Sequence, residues 1–262
     1  MNARREVLIV AILAALLPVL FFALGPIAQP PGYHELADQR PIFGIAHFWN
    51  VTTNLPFLVI GVMGLHLLWR RREEAAGPWM TVFAGTALIA LGSSWYHSDP
   101  KDATLVWDRL PIGLAFMGFF TALLVEHFSG AFKRAAHRLL LPLVAFSAAA
   151  IWWWYATGDL SVWVWVQGAP MLAVVLVIAL LPARYTHRRY LAYALAWYVM
   201  AKLFEVADVQ LMQWTGGLIS GHAMKHLAAA AGVWCFYVML RERSFIGDKS
   251  WTSASPSYGI SR

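Results

Sequence analysis

The chain has 262 residues, 60% of them hydrophobic and only 13% charged, with a mean hydropathy of +0.57 and 14 tryptophans. A water-soluble domain carries about 25% charged residues, so the composition excludes one and predicts an all-α, polytopic membrane bundle. The formal net charge of +6 implies no nucleic-acid partner, because Lys and Arg fall in short connecting stretches where they set membrane orientation.

Taken in chain order, apolar runs near 7–25, 48–69, 79–97, 109–127, 138–157, 161–182, 189–208 and 222–241 predict eight spans. The first follows a basic "MNARR" and has the look of a secretory signal. However, "FFALGPIAQP" lacks a small-x-small cleavage site, which favours a retained span. The division expected is an extra N-terminal span over 1–28, a seven-helix domain over 29–245 and a disordered cytoplasmic tail over 246–262.

The stretches "MNARR", "RRREE", "KRAAHR", "RYTHRR" and "RER" alternate with poorly basic connections such as "TGDLS". That alternation puts both termini in the cytoplasm and suits a bacterial inner membrane. Tryptophans in "IWWWY" and "VWVWV" flank the "TGDLS" connection, as an interfacial belt does. His66 and His187 lie near basic ends and read as solvated. The single cysteine, Cys235, rules out a disulfide framework and a thiolate cluster, so any metal must use nitrogen and oxygen ligands.

Polar residues gather at one end of the spans, toward the outer leaflet. Ser93 and His97 in "SSWYH" close the third span, and Asp108 in "WDRLP" opens the fourth with Pro111 in its first turn. Asn50 and Asn54 open the second, Glu205 and Asp208 close the seventh, and His222 and His226 in "SGHAMKH" open the last. Ionisable groups inside a membrane are costly and point to function.

Residues four apart share a helix face, with Cβ atoms about 5–6 Å apart, so His222 and His226 can bind one ion and His97 can be its third ligand. Three histidines suit Zn2+ and leave a tetrahedral position open for chemistry. Asp108 is a candidate for proton transfer or, equally, a helix cap. Ser93, one turn before His97, either steadies a developing oxyanion or is a packing residue.

Lys202, Glu205 and Asp208 share an arc of about 120° on one helix, which should face the bundle. Either Lys202 and Glu205 form an ion pair, or Glu205 or Asp208 accepts the second N–H of a ligand histidine. Lys225 suits either a headgroup phosphate or sulfonate, or snorkelling to the interface.

Together, Ser93, His97, Asp108 and the His222–His226 pair resemble the alkaline ceramidase family, part of a superfamily of seven-span hydrolases and progestin and adiponectin receptors. "HFWNVTTN" resembles the start of that family's first core helix, and the likeness runs from about 30 to 241. It implies a zinc-dependent hydrolase of the ceramide amide, with His97, His222 and His226 as ligands, Asp108 as general base and acid, and Ser93 assisting. The implied partner is a membrane lipid, a ceramide-like N-acyl lipid that enters from the bilayer. The alternative is a receptor-like lipid-binding protein with a structural zinc.

Two departures stand out. There is an eighth span, and the family's acidic residue just before "FWN" is His47 here. "YHELADQR" supplies only Glu35 and Asp38, too few hard oxygen ligands for calcium, so no calcium site is expected. Asp38 and Arg40 are expected to pair instead. A haem carrier is excluded, since His222 and His226 on one face cannot straddle a haem plane.

Overall fold

A computed structural model describes residues 2–71 and 73–246. The expected tail therefore lies, beyond residue 246, outside the described residues. The helices are α1 (Asn2–Pro18), continued by a π turn over Val19–Ala23, α2 (Phe48–Thr52), α3 (Leu55–Arg70), α4 (Ala76–Ser98) and α5 (Asp102–His127). After them come α6 (Gly130–Thr157), α7 (Ser161–Leu180), α8 (Arg189–Val206), α9 (Asp208–Trp214) and α10 (Gly221–Glu242). Among the described residues the only β pairing is in isolated bridges. This is an all-α bundle, as the composition requires.

Seven helical stretches are long and apolar enough to cross a membrane: Ala3–Ala23, Phe48–Arg70, α4, α5, α6, α7 and α10. The eighth expected span forms as α8, but Arg189, Lys202 and Glu205 in its 18 residues keep it outside that set. It nonetheless packs extensively on α10. Glu205 on its polar face is partly buried and pairs with Lys202 and Lys225, whereas Lys202 and Arg189 are exposed.

The start of α5 differs from expectation. The helix begins at Asp102, with Lys101 at its cap, so Asp108 is not a capping residue and Pro111 lies well inside the helix. Lys101 N donates to Thr104 Oγ1 at 3.3 Å, and Thr104 Oγ1 donates to Asp99 O at 2.6 Å, which starts the helix early. Pro111 has no N–H for the Trp107 carbonyl one turn before it. At that point Gly92 of α4 packs on the same carbonyl, where a Cβ would collide with the oxygen. Gly85, seven residues earlier, likewise lies against Pro111 and Ala115. Small residues let helix backbones approach closely in a membrane, and α4–α5 is the most extensive helix pair. That approach sets Asp108 beside the end of α4.

The connection between the π turn and α2 is a strap across one end of the bundle. Ile27 N donates to Asp159 Oδ1 at 2.9 Å, His34 bridges Tyr96 Oη and Asp102 Oδ1 at 3.0 and 3.1 Å, and Ala37 N donates to Asp208 Oδ2 at 3.0 Å. The expected Asp38–Arg40 pair forms, with Nε at 2.8 Å from Oδ1, and the Arg40 guanidinium reaches the Gly217 and Leu218 carbonyls. The strap thus ties the α6–α7 connection, the α4–α5 corner and the α8–α10 corner together. α1 lies against α7, where Trp165 Nε1 donates to Leu13 O at 3.3 Å.

Candidate metal centre

The strap covers the end of the bundle where α4, α5 and α10 meet. Two features fix the start of α10. Ser220 is its cap, its hydroxyl accepting from Ala223 N at 3.1 Å. Gly221 then lies so close to the Phe204 carbonyl and the Asp208 backbone that a Cβ could not be accommodated. Asp208 Oδ1 accepts from His222 N at 2.7 Å, taking one of the N–H groups that a helix start leaves unpaired.

With α10 so held, His222 and His226 face His97 at the end of α4. His97 Nε2 and His222 Nε2 are 3.3 Å apart. The ring centroids are separated by 4.8 Å (His97–His222), 4.9 Å (His97–His226) and 5.0 Å (His222–His226), and all three side chains are buried. One ring nitrogen from each can be chosen so that the three lie within 4.8 Å of one another.

A tetrahedral ion with bonds of about 2.0–2.1 Å needs nitrogen pairs roughly 3.3–3.4 Å apart. The His97–His222 pair already has that spacing, and the third imidazole offers a nitrogen within 4.8 Å of both. His97 Nδ1 is buried without a partner. Three buried imidazoles with ring nitrogens facing each other have few protein partners to satisfy them, whereas a cation suits them all. The donor set could hold a metal ion.

Thr53 settles the proton on His226. Its hydroxyl has one hydrogen and donates it to Trp49 O at 2.6 Å. Toward His226 Nδ1, 3.0 Å away, the same oxygen must therefore accept. Nδ1 carries the proton, and the Nε2 lone pair is free for a ligand bond. Sequence reasoning missed Thr53, and the "FWNVTTN" stretch gave the available signal. Sequence reasoning also offered Asp208 and Glu205 as partners of a histidine ring. Asp208 takes a backbone N–H instead, and Glu205 pairs with Lys202 at 2.8 Å and Lys225 at 3.1 Å. Of the two readings for that helix face, the ion pair is the one found.

Ser93, Asp108 and His226 line a cavity of about 210 Å3 enclosed mainly by α4, α5, α7, α8 and α10. Ser93 and Asp108 approach the cavity from α4 and α5 respectively. Away from this polar end the wall is apolar, with Phe116, Val174, Leu195, Val233 and Phe236 among its residues. Asn54 lines the cavity, while Asn50 donates to Asp38 O at 3.2 Å and so ties α2 to the strap. Of the five expected site residues, Ser93, Asp108 and His226 line this cavity, and His97 and His222 lie beside His226. A carboxylate and a hydroxyl there can move a proton and donate to an oxygen, and an apolar wall suits a hydrocarbon chain.

A sequence model of the ceramidase family matches residues 42–249, about four-fifths of the chain. No curated protein matches it.

Proposed function

Because the chain belongs to the ceramidase family, we propose that it is a zinc-dependent integral membrane amidohydrolase. It cleaves the amide of a ceramide-like N-acyl lipid, releasing a fatty acid and a free amine base. The observation that carries this reading is a group of three buried imidazoles, one of which, His226, shares an apolar-walled cavity with Ser93 and Asp108.

In this proposal His97, His222 and His226 hold the ion, each through a ring nitrogen. Zinc bound there supplies Lewis acidity and lowers the pKa of bound water. Asp108 accepts the proton that the attacking water gives up and returns it to the amine nitrogen as the carbon–nitrogen bond breaks. Ser93 donates its hydroxyl hydrogen to the oxygen that gains negative charge. The acyl chain lies along Phe116, Leu195 and Val233, where burial contributes about 0.8 kcal/mol per methylene. The alternating basic connections support both termini in the cytoplasm and a site toward the outer leaflet of a bacterial inner membrane.

The test combines elemental analysis of purified protein with mass analysis of lipid products. One zinc per chain and release of fatty acid from an N-acyl sphingoid lipid are expected. His97→Ala should lose both, and Asp108→Asn should keep the metal and lose turnover. Lipid bound but recovered intact by a zinc-loaded protein would overturn catalysis in favour of a receptor-like role.

A further inference from the structure

The cavity carries more positive charge than amide hydrolysis requires. Arg109, Lys202 and Lys225 line it together with two carboxylates, Asp108 and Glu205. Glu205 is engaged by both lysines. Arg109 is only 4% exposed and forms no ion pair among the described residues. Its guanidinium is held 3.8 Å from the Trp154 ring centroid, its Nη2 donates to Gln29 Oε1 at 3.0 Å, and its Nη1 is buried without any partner. A buried cation without a counter-ion is expensive, and stacking on tryptophan offsets part of that cost. With Asp108 committed to proton transfer, one positive charge at the polar end is left uncompensated.

We propose that this end of the cavity is an anion subsite, in which Arg109 and Lys225 receive a phosphate, sulfonate or carboxylate carried by the head of the N-acyl lipid. The planar guanidinium suits two oxygens of such a group, and an ammonium adds a point charge. A lipid anion is favoured over a free one because the subsite opens directly onto the apolar wall that would take the chain. The amide's position beside Asp108 rests on the hydrolase reading, whereas binding of the anion does not.

The experiment uses chelator-treated full-length protein in detergent and tryptophan quenching as the readout. The probes are ceramide, the same ceramide with a phosphate on its primary hydroxyl, and inorganic phosphate. The phosphorylated lipid should bind about tenfold or more tighter than ceramide. Arg109→Gln should bring that ratio close to one, Arg109→Lys should keep part of it, and inorganic phosphate at equal concentration should not compete. General damage to the bundle weakens both lipids together and leaves the ratio alone. Should Arg109→Gln fail to fold, Lys225→Gln and the ratio in the unaltered protein still decide.

Equal affinities in the unaltered protein would overturn the subsite, as would a ratio unmoved by Arg109→Gln and Lys225→Gln. Competition by inorganic phosphate would overturn the lipid as its source. If zinc-loaded protein hydrolyses neither lipid while the binding ratio persists, the amidohydrolase reading fails and the subsite stands.

Discussion

Each end of the bundle buries a polar cluster, and the two are built on opposite principles. α4 carries Trp79 at one end and His97 at the other, 18 residues apart, or roughly 27 Å along the axis. At the Trp79 end, Arg243 donates to Glu126 at 2.6 and 2.9 Å and to Glu73 at 2.7 Å, and Trp79 Nε1 donates to Glu126 Oε1 at 2.7 Å. The Arg243 guanidinium also lies 4.2 Å from the Tyr185 ring centroid. Burial lowers the pKa of Arg243, but its bonds to Glu126 and Glu73 outweigh that and raise it. Opposite charges there pair with one another inside the fold, with only Arg243 Nε left without a partner among the described residues. At the His97 end, three imidazoles face each other, one ring nitrogen has no partner, and the cluster lies beside a cavity. Matched charges make a lock, and a set of like donors makes a receptacle.

The comparison can be broken first at the lock. Glu126→Ala leaves Arg243 buried without its nearest counter-ion and should cost about 3–5 kcal/mol of stability, read as a lower unfolding midpoint in detergent. Zinc per folded chain should stay the same. A loss of zinc in the folded fraction would show that the two ends are not independent.

A subtler change sharpens the receptacle. Thr53→Val keeps the side-chain shape but removes the oxygen that orients His226, and zinc affinity should fall about 10–100-fold. Competition with a chromophoric chelator measures it, and an affinity within about twofold of the unaltered protein would refute the tautomer argument.

The smallest effect belongs to the strap, which lies outside both clusters. Burial works to raise the Asp38 carboxyl, but its hydrogen bonds to Arg40 and that guanidinium's charge outweigh it and hold the group below the usual carboxylate range. A depressed folded pKa stabilises the protein fully above the unfolded value, near pH 4. That contribution disappears as the pH falls through the lower folded value. Asp38→Asn should therefore cost about 1 kcal/mol or less at pH 7 and flatten the acid limb of the unfolding midpoint plotted against pH. An unchanged acid limb would remove the pair from the account.

The receptacle was more legible in the sequence than the lock. Two histidines one turn apart in an oily run stand out because a bilayer penalises them, and the third is marked by its depth at the end of another span. Arg243 and Glu73, by contrast, sit in "RER" and "RRREE", which read as orientation charges in connections. Nothing local marks them as partners of Glu126, which lies more than a hundred residues from Arg243. Thr53 escaped, and Asp208 was assigned to an imidazole ring rather than to a backbone N–H, for a related reason. Their roles are hydrogen bonds to His226 and to the His222 backbone, formed only once α2, α9 and α10 meet. The early start of α5 was hidden by Pro111, which resembles a first-turn proline until Gly92 is seen packed under the freed carbonyl.

The Asp208 carboxylate has one oxygen on His222 N and the other on Ala37 N. It acts as a tie-rod between the strap and the opening turn of α10. A pull that lifts the strap at Ala37 is transmitted through a single rigid group to the backbone beneath one imidazole. One carboxylate thus holds the strap and the backbone of a candidate ligand at a fixed separation.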